Sequence, residues 1–341
     1  MIRSVGIKRL RGIKAGSLEN LAPLTVLVGP NSSGKSTVLD ALLIGAHPVV
    51  GDAVGRAVRH RATAYNGARW LVWRGGDEGP AAVTTVGDET DAKRTCSITV
   101  SEQPRTADGV RHTHLKSSVG AGSIYPKDVT TRFEPDNNYD VVSDGDSRSV
   151  SLPSVSEVRF VEPWTAGIVA GLVELYSEAK RQGRGEAVLQ VAKEVIPGFR
   201  GLEVLEEAGR SLLHVDRGNL SLQLGVEGDG VQSLLRLAIE FSARPRGVVL
   251  VEEPEAHQHP RSLVATANVI AAAVARGIQV VFSTHSLELI DDVTSAMRSI
   301  NQELEKMCVI SLRLEEGRLV SSRLEGAQVA LAREKIELEL R

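Results

Sequence analysis

The chain has 341 residues, 42% hydrophobic and 24% charged, the balance of a soluble globular protein of one large domain or two small ones. A formal net charge of −3 gives no global argument for nucleic acid, so any DNA contact has to come from a local patch. Cys96 and Cys308 are the only cysteines; they show no zinc-ligand spacing and are too few for a disulfide framework, which suits a reducing compartment.

The N-terminal residues Met1-Ile2-Arg3-Ser4-Val5 lack an apolar signal region, so a cytoplasmic protein is expected. Residues 2 to 13 read as one strand bending at Gly12, with Arg9 and Arg11 near its end. After a turn at Leu21-Ala22-Pro23 comes the apolar run Leu24 to Val28, then Gly29-Pro30-Asn31-Ser32-Ser33-Gly34-Lys35-Ser36-Thr37. A helix is predicted from Lys35 until glycine and proline stop it near Gly45-Ala46-His47-Pro48. Arg56, Arg59, Arg61, Arg69 and Arg74, with His60 among them, form a basic cluster. It reads as a polyanion-facing surface or, more commonly for such a run, a solvated helix face.

Short β-branched runs between Tyr65 and Ser154 alternate with Gly, Asp and Ser, which predicts an antiparallel β-rich insertion over residues 62–154. His112 and His114 could share one side of a strand there, but no third metal ligand accompanies them. A strand is expected at 157–161, then helices at 165–182 and 186–195, making a helical subdomain over 164–200. A hairpin follows at 202–224 with its turn at Arg217-Gly218-Asn219. The last third alternates again: buried strands at 247–251 and 278–282, a helix at 261–276, and a helix capped by Ser286. The apolar stretch Leu263 to Ala275 is interrupted by Thr266 and Asn268 and falls short of the roughly 20 residues of a membrane span. A hairpin at 307–324 and a terminal helix complete a single domain over 1–341. Neither heptads nor long-period repeats are present.

Three stretches carry chemistry. Gly29 and Gly34 let several N–H groups of the loop turn toward one anion, and the helix beyond adds its positive dipole end. Lys35 supplies a point charge and Ser36 a hydroxyl for Mg²⁺. Glu252-Glu253-Pro254-Glu255 lies where a parallel sheet delivers side chains to the crevice at its carboxyl edge, one acid suited to the metal and the next to a water. Ser283-Thr284-His285-Ser286 ends the next strand, and Leu224 to Gln232 is a glycine-rich turn opening a helix.

Together these residues resemble the ATP-binding-cassette ATPases, in the soluble branch of SMC, RecF-like and overcoming-lysogenization-defect (OLD) proteins. The resemblance implies an α/β P-loop NTPase fold, with a mostly parallel core sheet, helices on its faces and the β-rich insertion. Gly29 to Thr37 is similar to Walker A, and Val248 to Glu253 to Walker B, with Glu252 at the metal and Glu253 as the catalytic glutamate. His285 matches the switch histidine, and Asp229-Gly230-Val231-Gln232 the signature that meets the opposite subunit's nucleotide, here with Asp229 in place of serine. Arg11 is placed either at the nucleotide or on the surface, and the Q-loop is sought near Glu162. The implied activity is ATP hydrolysis with Mg²⁺ by a head-to-tail homodimer. No C-terminal nuclease of the OLD kind is expected in the short tail after His285. The ATPase then either switches a separate effector in antiviral or toxin–antitoxin-like defence, acts as a RecF-like DNA clamp through the Arg56 to Arg74 cluster, or is a nucleotide-gated scaffold.

Overall fold

Where one bent strand is expected at the N-terminus, the chain instead makes a hairpin of β1 (Ile2–Leu10) and β2 (Ile13–Leu18). Arg11, at φ 48°, turns the backbone over, so that Leu10 faces Ile13 and Val5 faces Leu18. The computed structural model describes residues 1–60, 64–76, 79–88, 93–102, 112–121, 124–142, 157–162, 169–244, 246–300 and 304–336. They divide into two compact units: Met1–Ala22 with Leu27–Arg159 and Ile310–Arg323, and Pro23–Val26 with Phe160–Val309 and Leu324–Arg341.

After the hairpin come β3 (Leu24–Val28), α1 (Lys35–Ala46), α2 (Val50–Arg59) and five strands, β4 (Ala81–Gly87), β5 (Lys93–Glu102), β6 (Thr113–Ala121), β7 (Ile124–Phe133) and β8 (Tyr139–Val142). These strands are antiparallel and run outward from β1, so the β-rich segment extends the sheet of its own unit. The register aligns Ile7, Val83, Cys96 and Val119 in one row across four strands, all buried. That apolar face receives α1 and α2. Arg94 also lies on it, wholly buried, and donates to the carbonyl oxygens of Ile44 at 2.7 Å and His47 at 2.8 Å. A cation among the terminal carbonyls of α1 satisfies orphan acceptors and complements the helix dipole. Gly55 lets α2 settle against β8, because a Cβ there would be driven into the Tyr139 ring.

In the second unit β9 (Val158–Val161) precedes α3 (Val169–Arg181), α4 (Gly185–Val195), the strands β10 (Gly201–Glu207), β11 (Arg210–Asp216) and β12 (Ser221–Gln223), and α5 (Asp229–Ala243). The predicted hairpin is a three-stranded antiparallel sheet, with a tight turn at Ala208-Gly209 as well as the one at Arg217. It packs with α3, α4 and α5 around Leu172, Tyr176, Val188, Leu213, Val215 and Ile239. Next come β13 (Gly247–Glu252), α6 (Pro260–Ala275), β14 (Ile278–Ser283) and α7 (Leu287–Ser299). β13 and β14 are parallel, with Glu252 opposite Ser283; the apolar run Val248 to Val251 and the residues Ile278 to Phe282, Gln279 among them, are buried as in strands covered on both faces. The amide of Val280 donates to the Pro23 carbonyl at 2.8 Å, which sets β14 beside the start of β3. The chain continues through β15 (Met307–Glu315), β16 (Arg318–Glu325) and α8 (Gly326–Ile336). Among the described residues no helix is long and apolar enough to cross a membrane.

Candidate functional site

The glycine-bounded loop belongs to the first unit. Gly29 at φ 141°, Ser32 at φ 63° and Gly34 at φ 97° bend the chain between β3 and α1. The backbone leaves no room for side chains at its start: a Cβ on Gly29 would be driven into the Leu312 carbonyl oxygen and would lie 2.9 Å from Ser33 Oγ. Lys35 is buried, and its Nζ donates to the carbonyl oxygens of Gly29 at 2.8 Å and Pro30 at 3.1 Å. Pro30, Asn31 and Ser32 are exposed, Ser36 is half-buried and Thr37 is buried. Ser33 Oγ is buried with no hydrogen-bond partner among the described residues, and no side chain caps the N-terminus of α1. An orphaned hydroxyl, a lysine ammonium and an uncapped helix start lie together in this one loop, a donor set that fits a polyphosphate.

Arg11 is engaged elsewhere in this unit. Its Nε lies 2.9 Å from Oδ2 of the buried Asp40 on α1, and its Nη2 donates to the Ala57 carbonyl. His60 Nδ1 approaches the other oxygen of Asp40 at 3.1 Å. These contacts tie the β1–β2 turn and the end of α2 to the helix beneath the loop. Sequence reading missed Asp40, because an acid inside an apolar helix looks like a surface position. The basic cluster is partly neutralised in place: Arg56 pairs with Asp52 at 3.0 Å and Arg69 with Glu102 at 2.6 Å. Arg74 donates to the Arg69 carbonyl at 3.0 Å, and Arg61 lies outside the described residues. His112 Nε2 meets Arg132 at 2.9 Å, and no group of three or more metal-binding side chains is assembled among the described residues.

The acidic pair and the histidine belong to the second unit. Glu252 closes β13 half-buried, and Glu253 follows it at φ 45°, a left-handed conformation that a residue with a side chain seldom adopts. Its backbone is held in place: the Glu253 amide donates to the Ser283 carbonyl at 3.0 Å and to the Ser283 hydroxyl oxygen at 3.3 Å, and the Ala256 amide donates to the Glu253 carbonyl at 2.9 Å. The Glu253 side chain thereby reaches His285, whose Nε2 lies 3.6 Å from Oε1. Glu255 is turned inward. Its Oε1 accepts the Thr284 hydroxyl at 2.7 Å and the His285 amide at 2.8 Å, and burial pushes its carboxyl above the usual range against those two bonds. The third acid of the Glu-Glu-Pro-Glu run was the sequence signal for this contact.

Asp229 is exposed in the first turn of α5, where a negative charge is favourable. Gly230 allows a close approach within the unit, since a Cβ would lie 2.7 Å from the His257 carbonyl oxygen. Gln232 donates to the Glu227 carbonyl at 2.6 Å, closing the turn. Arg236 on α5 donates to the Glu162 carbonyl at 2.6 Å, and the segment beyond Glu162 where the Q-loop glutamine was sought lies outside the described residues.

A strand, a phosphate-type loop and a helix, with acids at the end of a buried parallel strand, define the P-loop NTPase class. Two solved structures share the fold. An Smc head bound to the C-winged helix domain of ScpA has a TM-score of 0.51 at 13% identity, covering 95% of this chain and 97% of its own. An Smc head domain with an extended coiled coil, bound to the C-terminal domain of ScpA derived from Pyrococcus furiosus, gives 0.51 at 11%, covering 99% of each. Residues 24–94 and 111–291 match the family described as "AAA domain, putative AbiEii toxin, Type IV TA system", and the chain belongs to that family. A Methanocaldococcus jannaschii protein described as uncharacterized protein MJECL11 is 32% identical over 115 residues, which are 33% of this chain and 98% of that protein.

Proposed function

We propose that the chain is an OLD-like ATPase that binds and hydrolyses ATP with Mg²⁺, closes head-to-tail as a homodimer around ATP, and switches a separate effector. The observation that carries hydrolysis is Glu253 held in the left-handed region beside His285 at the ends of two adjacent parallel strands. Lys35 and the loop amides neutralise phosphate charge, with the orphaned Ser33 hydroxyl as a further donor. Ser36 and Glu252 offer the hard oxygen ligands that Mg²⁺ takes alongside phosphates, and the ion when bound neutralises charge on the phosphoryl oxygens. Glu253 orients the attacking water and accepts its proton, and His285 donates toward the γ-phosphate. Head-to-tail closure is supported by the surface position of the turn before α5, where Val226 is 67% exposed and Asp229 lies beside it.

A toxin–antitoxin-like setting is supported by the family's description. The ion pairs of Arg56 and Arg69 favour an effector switch over a DNA clamp, because they remove charge from the surface a clamp would use. A scaffold without turnover is separated from both by steady-state phosphate release. Light scattering on Glu253→Gln with ATP and Mg²⁺ tests closure. A doubled mass is expected, and a mass indifferent to ATP contradicts it.

A further inference from the structure

The loop after β13 is tied to the end of β14 and the loop beyond it by backbone and by side chain. One tie is backbone, from the Glu253 amide to the Ser283 carbonyl. The other is the Glu255 carboxylate, whose single oxygen Oε1 takes both the Thr284 hydroxyl and the His285 amide. Thr284 Oγ1 in turn accepts the Ser286 amide at 2.9 Å, and Ser286 Oγ caps α7 by accepting the Leu289 amide at 3.0 Å. The backbone position of His285 is therefore set from both sides. The remaining oxygen of Glu255, Oε2, is buried without a hydrogen-bond partner among the described residues. A buried carboxyl with one unsatisfied oxygen costs stability that an apolar side chain of similar size would not. Packing alone does not account for an acid at this position; the two bonds to the histidine loop do.

We propose that Glu255 is a positioning residue for the hydrolytic pair, fixing the His285 backbone and through it the 3.6 Å approach of His285 Nε2 to Glu253. This rests on the reading of Glu253 and His285 given above. The requirement is for an acceptor at the reach of a glutamate, not for a charge. Glutamine keeps the acceptor and the length, leucine keeps only the volume, and Thr284→Val removes the hydroxyl at the other end.

The test compares Glu255→Gln, Glu255→Leu and Thr284→Val in the full chain, by ATP turnover and by the NMR resonances of the His285 imidazole. Glu255→Leu is expected to lower kcat by about 10- to 100-fold with KM nearly unchanged, since a displaced catalytic group costs rate more than binding. Glu255→Gln restores turnover to within a few-fold, Thr284→Val falls between, and the His285 resonances move in the leucine variant but not the glutamine one. Wild-type kcat in Glu255→Leu overturns the proposal, as does a glutamine variant as impaired as the leucine. Should Glu255→Leu fail to fold, an unimpaired Thr284→Val overturns it. A wild type with no more turnover than Glu253→Gln sinks the functional reading instead, and the His285 resonances then still decide the positioning.

Discussion

Lys35 Nζ donates to the Gly29 carbonyl oxygen at 2.8 Å, so the ammonium closes on the first residue of the loop that its helix follows. A charge on a flexible stem held by two neutral carbonyls can exchange them for phosphate oxygens, which bind it more strongly. Lys35→Ala should weaken ATP binding by about 100-fold, near the upper end for hydrogen bonds to charged groups. Titration calorimetry checks it, and unaltered affinity counts against the loop as the nucleotide cradle.

Arg94 tests the sheet beneath that helix. Replacing it with methionine leaves the carbonyl oxygens of Ile44 and His47 buried without their donor. The expected loss is about 2–4 kcal/mol of stability, a sum of two unsatisfied acceptors less the relief of a buried cation. A lower denaturant midpoint at unchanged slope is the predicted result.

Much of this arrangement was legible in the sequence because it rests on local rules. The loop at Gly29 to Thr37, the apolar runs of β13 and β14, and the Ser286 cap each follow from neighbouring residues. What was not legible depends on partners distant in the chain. Nothing local marks Arg94 as buried; its partner carbonyl at the end of α1 lies fifty positions earlier. Arg11 reads as a residue of the nucleotide site or of the surface, and its buried partner Asp40 is not visible from the sequence. The N-terminal hairpin was hidden because Arg11 turns in the left-handed region without being glycine.

Two glycines separate steric need from backbone freedom. Gly55→Ala should cost about 1–3 kcal/mol, because the added methyl overlaps the Tyr139 ring across α2 and β8. Gly171→Ala, in α3 with nothing within 4 Å of the new atom, should instead gain roughly 0.5–1 kcal/mol from reduced chain entropy. Thermal melts of the two variants in parallel provide the check.

Glu255 carries a pH prediction. Burial raises its carboxyl above the unfolded value of 4.5, so between the two pKa values the folded chain binds more protons than the unfolded one. Stability attributable to this group is present below the unfolded pKa and is lost as pH rises through the folded one. Glu255→Gln, which cannot ionise, should therefore gain on the wild type as pH increases from 4.5 upward, by about 1.4 kcal/mol for every tenfold difference in proton affinity between the folded and unfolded chain. Chemical denaturation of both proteins across that range should show the gap widening; a constant difference would mean the carboxyl is not raised.

In the proposed reaction Glu253 activates the water that attacks the nucleotide. Single-turnover cleavage of γ-labelled ATP with Mg²⁺ reads retention and hydrolysis in one sample. Glu253→Gln should retain ATP as tightly as the wild type and leave it uncleaved, with a rate lower by about 100-fold or more, the contribution usual for a general base. Cleavage at the wild-type rate in that variant would contradict it.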